Sequence, residues 1–244
     1  MNNKVESNKS QPWDDNVMIR AADLEQGTDY SYTHVIKPWV LDRVLKYTNE
    51  KSRILDIGCG CGYLTNCVYM LDRHNIKGVD ISNVAVQYAD EKYPHIKFEC
   101  QDICALDPSE KFDLCIAVMV LNNMSDMNGF FTAVYDALNV GGHLIIVLPH
   151  PFYWPVKHVK NQAFVYRENR NYPVPFATKG RSDYSADIIY YHRPLAHYIA
   201  AILGVGFKIV DLCELYEAPN DSSPDIICIE VIKSLDNDII SNSK

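Results

Sequence analysis

Ile54-Leu55-Asp56-Ile57-Gly58-Cys59-Gly60-Cys61-Gly62-Tyr63-Leu64-Thr65 is the stretch that decides the fold. An apolar run reaches an acid and then breaks into glycines at alternate positions. A helix can start at once beyond them. A buried parallel strand that turns tightly into a helix reads this way, and the glycines leave bare backbone at the turn. Bare backbone allows a nucleotide-like ligand to approach closely. A dinucleotide fold wants GxGxxG, and Tyr63 stands where its third glycine should fall.

Strands and helices alternate outward from this turn. Residues 53–57 form the first strand and 61–71 a helix. Residues 76–80 follow as a strand, and Ser82 can cap a helix running to about residue 92. Residues 96–100 and 112–118 are strands, the second almost wholly apolar as a central parallel strand should be. A helix over 126–138 is stopped by Gly141-Gly142 and leads into a strand at 143–148. This alternation predicts an α/β, doubly wound sheet with ligands at the carboxyl ends of its strands. Upstream, apolar spacing predicts a helix over 33–48, broken at Pro38. Residues 13–30 read as an irregular lead-in, with Trp13 either a lid residue or a packing anchor. From 149 to 192 the rhythm fails. Pro194 then opens a helix ended by Gly204 and Gly206, and strands at 207–212 and 225–232 close the sheet. The expected organisation is a disordered tail at 1–12, a single domain at 13–233 and a polar tail at 234–244. Within the domain a ligand-binding core covers about 50–148 and a cap about 150–192.

The chain has 244 residues, enough for one α/β domain with a sizeable core. Its formal net charge is −8, which argues against nonspecific nucleic-acid binding. The eight cysteines include no CxxC pair, and Cys59 and Cys61 sit inside the glycine turn. Reduced thiols in a cytoplasmic protein, with no metal, are the expected reading. The polar start lacks a secretory apolar region, and no run approaches the ~18 apolar residues that span a membrane.

The segment LDIGCGCGYLT resembles the first motif of the class I S-adenosylmethionine (SAM)-dependent methyltransferases. The resemblance is strong over roughly 53–148 and looser to about 232. It implies a Rossmann-like, seven-stranded, mostly parallel sheet with an antiparallel last strand and a cap insertion after strand five. It implies SAM as cofactor and S-adenosylhomocysteine as product. Gly58, Cys59 and Gly60 then form the cofactor turn. Asp56 bonds turn amides or the cofactor's amino group. Asp80 accepts the ribose hydroxyls, and Asp102 accepts from the adenine amino group. Ile81 and Ile103 flank the ring, and the backbone at Ala117 and Val118 lines the methionine half. Tyr30 or Tyr32 either folds over the sulfonium or packs the first helix.

Methyl transfer chiefly requires that the acceptor be oriented and lose a proton. His150, directly after strand five, is either that base or a residue bonding the local turn. His192 is a second candidate or a helix-entry residue. Asn122 stands where relatives often carry a His, and offers a polar contact instead. The cap holds ten aromatics in residues 150–192, and residues 151–193 carry net +4. An aromatic wall with a basic rim would suit an aromatic or anionic metabolite, with Tyr153, Trp154, Tyr184 and Arg193 as contacts. The expected function is O- or N-methylation of a small organic acceptor. The alternatives are a non-catalytic SAM-binding subunit or regulator, and an NAD-dependent oxidoreductase. The sequence leaves the oligomeric state open.

Overall fold

Seven strands form one sheet in the computed structural model, which describes residues 10–159, 163–178, 181–218 and 220–234. Chain order begins with α1 (Gln11–Asp14), α2 (Val17–Gln26), a π-helical turn (Tyr32–Ile36) and α3 (Lys37–Tyr47). The alternating core follows: β1 (Ile54–Ile57), α4 (Tyr63–Tyr69), β2 (Ile76–Asp80), α5 (Asn83–Lys92), β3 (Lys97–Cys100) and β4 (Phe112–Val118). Then come α6 (Met127–Ala137), β5 (Leu138–Pro149), α7 (Tyr153–His158), β6 (Arg170–Pro175) and β7 (Asp187–His192). The chain closes with α8 (Leu195–Gly204), β8 (Phe207–Leu215) and β9 (Ile226–Lys233).

In the order β3-β2-β1-β4-β5-β9-β8, the first five strands pair in parallel, and β9 inserts antiparallel between β5 and β8. The expected α/β sheet with an antiparallel last strand is what forms. Central strands need apolar residues on both faces, and β4 supplies them. Leu114 and Ile116 pack toward α3 and α4 on one face, and Cys115 and Ala117 toward α6 on the other. All four are fully buried. The switch in strand order at β1 and β4 opens a crevice at their carboxyl ends, where the glycine turn lies.

Several local expectations are corrected. The lead-in is helical, because Val17, Ala21 and Leu24 recur at helical spacing and bury one stripe. Gln11 and Pro12, assigned to the tail, open α1. Pro38 does not break its helix but sits in the first turn of α3, where its missing N–H is tolerated. Gly141-Gly142 does not stop α6, which ends at Ala137. The pair lies inside β5, with Gly141 at φ +83 beside a register shift against β4. Pro194 stands just outside α8, in extended backbone. The cap has regular structure after all: α7 and a β6–β7 antiparallel hairpin, packed on a small core of Tyr172, Val174, Ile188 and Tyr190. Alternation hides there because prolines and tyrosines fill both faces. Residues 1–9 and 235–244 of the expected tails, with Lys160 and Lys179 of the cap, lie outside the described residues.

Candidate active site

A cavity of about 850 Å³ opens over the carboxyl ends of β1, β2 and β4. Its floor is the glycine turn. Gly58 has φ +69, and a Cβ there would lie 2.4 Å from Val120 Cγ2, so only glycine fits. Gly60 has φ +52, and a Cβ on it would meet nothing within 4 Å. Its bare backbone therefore faces the cavity. The roof comes from α1, α2 and the β6–β7 hairpin. Asn16 accepts the Ser185 N–H at 2.9 Å, and the Tyr184 hydroxyl donates to Asp23 at 2.5 Å.

Asp80 ends β2 on the cavity wall. Its carboxylate accepts from the N–H groups of Gly60 and Ser82, each at 2.9 Å. Burial pushes this carboxyl up, and those two N–H groups oppose the shift. Asp102 follows β3, is exposed at the cavity edge and accepts from the Cys104 N–H at 3.0 Å. Ile81 and Ile103 line the wall near the two acids. Of the expected residues, the cavity brings together Tyr32, Gly58, Cys59, Gly60, Asp80, Ile81, Asp102, Ile103, Val118, Asn122 and Trp154.

The other expected residues sit elsewhere. Asp56 lies beneath the turn, 2% exposed, and accepts from Thr65 Oγ1 at 2.6 Å. Ala117 is inside the sheet core. Tyr30 is exposed and stacks on His34. Tyr153 packs against the His150 ring. The Tyr184 hydroxyl is held by Asp23. Arg193 is buried and donates to the carbonyls of Leu121, Tyr191, Met124 and Ser125, which pins the turn after β4.

His150 is buried off the cavity wall. Nδ1 accepts the N–H groups of Phe152 and Tyr153 at 3.2 and 3.3 Å, so Nε2 carries the proton and donates to Glu214 at 2.9 Å. The ring caps the start of α7. His192 is buried among Phe164, Tyr166 and Tyr190, and its Nε2 meets the Tyr166 carbonyl at 2.9 Å. Burial holds its pKa below the ordinary value. Its placement comes from the hairpin, which the sequence reading did not resolve.

The sequence reading missed Arg20. It lines the cavity from α2, pairs with Asp29 at 2.6 Å and lies 5.1 Å from the Tyr32 ring centroid. Burial alone would lower its pKa, but Asp29 outweighs that and the shift is upward. The Val17-Ala21-Leu24 stripe was the signal that could have found it. The expected basic rim does not form, since none of the described cap cations lines the cavity. Lys157 is paired with Asp225, and Arg181 with Asp23 and Asp183.

Met119, just past β4, has φ +59, uncommon for a residue with a side chain. Its N–H is held by the Val147 carbonyl at 2.8 Å and its carbonyl by Asn123 Nδ2 at 2.7 Å. Asn122, three residues on, is 5% exposed, and its Oδ1 is buried without a partner among the described residues.

Burial raises the Asp56 carboxyl to about 7, helped by the Asp80 charge and opposed by Thr65. The unfolded chain releases this proton near pH ~4. The folded protein therefore holds an extra proton between about pH 4 and 7, and stability falls as pH rises through that window. Asp56→Asn should flatten this slope in urea denaturation. The difference should reach about 1–4 kcal/mol above pH 7. A slope unchanged in the variant would sink this account of the buried acid.

Comparison with known proteins agrees with the geometry. A family profile described as "Methyltransferase domain" matches residues 48–188. A ubiquinone biosynthesis O-methyltransferase of Bradyrhizobium is 33% identical over 98 residues, covering 38% of each chain. A malonyl-[acyl-carrier protein] O-methyltransferase of Acetivibrio thermocellus is 33% identical over 103 residues, 39% of this chain and 36% of that one. The match thus spans little more than a third of these relatives. The crystal structure of an S-adenosylmethionine dependent methyltransferase from Mesorhizobium loti superposes with a TM-score of 0.60 at 21% identity, covering 79% of this chain and 95% of that one. That likeness is one of fold. The profile covers more than half of the sequence, and the chain belongs to the methyltransferase domain family.

Proposed function

We propose that this protein transfers a methyl group from S-adenosylmethionine to an oxygen or nitrogen of a small organic acceptor. The observation that carries this reading is the Asp80 carboxylate. It is fixed at the cavity wall by the Gly60 and Ser82 N–H groups, beside a glycine whose Cβ position is empty. A carboxylate next to bare backbone suits a ribose with two free hydroxyls. Asp102 is suited to accept from the adenine amino group, and Ile81 and Ile103 to flank the ring. Arg20, over Tyr32, is suited to the amino-acid carboxylate. The Tyr32 ring is suited to the sulfonium. Val118 and Met119 line the cavity and are suited to the methionine half. The residues present fit this cofactor.

When bound, the cofactor would supply an electrophilic methyl carbon to the acceptor's lone pair, its sulfur keeping the C–S electron pair. The chain's own part is to bind, orient and exclude water. The roof of α1, α2 and the hairpin covers the cavity. Asn122 and Trp154 lie on its wall to hold the acceptor. His150 supports this arrangement from behind as a positioning residue. His150→Ala should cost about 1–2 kcal/mol of stability, since three polar partners lose it. Its affinity for S-adenosylhomocysteine should be unchanged. A loss of turnover above tenfold, with the melting temperature kept, would instead assign the ring to proton transfer. Isothermal titration with S-adenosylmethionine and S-adenosylhomocysteine tests the function. Binding of neither to the folded chain would overturn it.

A further inference from the structure

We propose that Cys213 and Cys228 form an oxidisable dithiol: a peroxide reacts with Cys213 on the edge strand, and Cys228 closes a disulfide that joins β8 to β9 at the base of one cavity wall. The site stands apart from the methyl-transfer machinery and does not rest on that reading.

Register is the first argument. Cys213 and Cys228 are direct partners in the antiparallel β8–β9 ladder. Directly opposed residues in such a ladder have Cα atoms about 4.5 or 5.5 Å apart. Both separations fall within the roughly 4.4–6.8 Å over which a disulfide closes. The two side chains also leave the sheet on the same face, since both pack in the core cluster with Trp39, Val40 and Val44 of α3. The bridge therefore needs no change of register.

The two thiols differ in surroundings, as an attacking and a resolving cysteine must. β8 is an edge strand, and Cys213 is partly exposed on it, whereas Cys228 is 1% exposed. The neighbouring Cys228 thiol holds the Cys213 thiol below its ordinary value, helped by Arg43 and the Trp39 indole N–H, against burial and the Asp211 charge. Arg43 is fixed in place: it pairs with Glu230 at 2.8 Å and lies 4.4 Å from the Trp39 ring centroid. Cys228 is pushed up, first by its bond to Cys213 and then by burial, so it keeps its proton while Cys213 ionises. Burial also pushes up the thiols of Cys59, Cys61, Cys67, Cys100 and Cys115.

The chemistry balances with a peroxide as oxidant. The Cys213 thiolate attacks one peroxide oxygen, the O–O bond breaks, and the departing half leaves with a proton as water or an alcohol. The Cys213 sulfur now bears a hydroxyl. The Cys228 sulfur displaces that hydroxyl, which leaves as water with the Cys228 proton, and the S–S bond forms. Two thiols thus lose two electrons, and the peroxide takes both.

The pair stands at the base of the β8–β9 connection. Beyond Cys213, Glu214 accepts from His150, and Glu217 accepts from Ser31 Oγ at 2.7 Å. Glu217, Asp225 and Ile226 line the cavity. A bond across the base restricts this connection without entering the cavity.

The test treats the reduced full chain with equimolar hydrogen peroxide and digests it without a reductant. A peptide linking Cys213 to Cys228 should form ahead of any oxidised form of the exposed Cys100 and Cys104, and dithiothreitol should reverse it. The bridged chain should melt about 4–10 °C above the reduced one. Cys213→Ser should give no link and no rise in melting temperature. Cys228→Ala should stop the reaction at a sulfenic acid on Cys213, which dimedone traps. Oxidation of Cys100 or Cys104 while the pair stays reduced overturns the proposal. So does dimedone labelling of Cys213 in Cys228→Ala no stronger than that of Cys104. A bridged chain that melts no higher than the reduced one overturns the role given to the bond.

Discussion

Asp80→Ala should lower S-adenosylhomocysteine affinity at least about 100-fold while leaving the fold intact. Two charged hydrogen bonds to ribose hydroxyls would be lost, each contributing about 1.5–3 kcal/mol, and a loss of about 3 kcal/mol already corresponds to that factor. The Gly60 and Ser82 N–H groups would also lose their acceptor, so the turn loosens where the ligand must press against it. Asp80→Asn keeps one acceptor oxygen but no charge, and should fall between the two, about tenfold down. Calorimetry gives the affinities, and circular dichroism checks the fold. Affinity in Asp80→Ala within threefold of the unaltered chain would remove Asp80 from the cofactor site.

Arg193→Ala should be the most damaging single change to stability. The guanidinium is 8% exposed and donates to four carbonyls, three of them in the turn between β4 and α6. Truncation removes the donor from all four carbonyls and leaves a gap where the buried guanidinium packed. The cost should be about 3–5 kcal/mol, and for a chain of this size that is a fall in melting temperature of roughly 6–15 °C. Arg193→Lys restores the charge but not the fork, and should recover less than half of the loss. Differential scanning calorimetry reads both variants. A fall below 2 °C for the alanine variant would show that the turn holds without it. The sequence suggested an acceptor contact for this residue. The structure instead makes it the clamp that fixes Asn122.

The core of the fold was legible because each signal there is local. Strand β4 needs apolar residues on both faces, and its seven residues show that directly. Ser82 caps α5 as the sequence suggested, accepting the Ala85 N–H at 3.0 Å. Asp80 and Asp102 could be placed at strand ends from spacing alone. The cap was not legible in the same way. Its hairpin alternates Tyr172 and Val174 inward with Pro173 and Pro175 outward, which masks the period of two. Charge was misread for a different reason. Counting cations over 151–193 cannot reveal that Arg193 and Lys157 are spent on carbonyls and on Asp225. Arg20 escaped notice because its helix did. Both errors concern contacts between segments far apart in the chain, which local spacing does not encode.

The roof over the cavity is held by bonds between such segments. Asn16 and Asp23 reach Ser185, Tyr184 and Thr178 across 155 to 169 residues of chain. Trp13 packs on Phe176 and Arg181 pairs with Asp23 beside these bonds, whereas the sheet beneath is hydrogen-bonded along every strand. Parting them breaks the Trp13–Phe176 contact and these polar bonds but leaves both main core clusters of the sheet intact, so the roof can detach at a free-energy cost below that of global unfolding. Amide protons of the hairpin should therefore exchange with solvent faster than those of β4, at a rate insensitive to mild denaturant. That opening frequency is also the fastest rate at which a covered ligand can leave. A residue pair such as Asp23 and Tyr184 thus sets a kinetic ceiling on turnover without touching the reacting atoms.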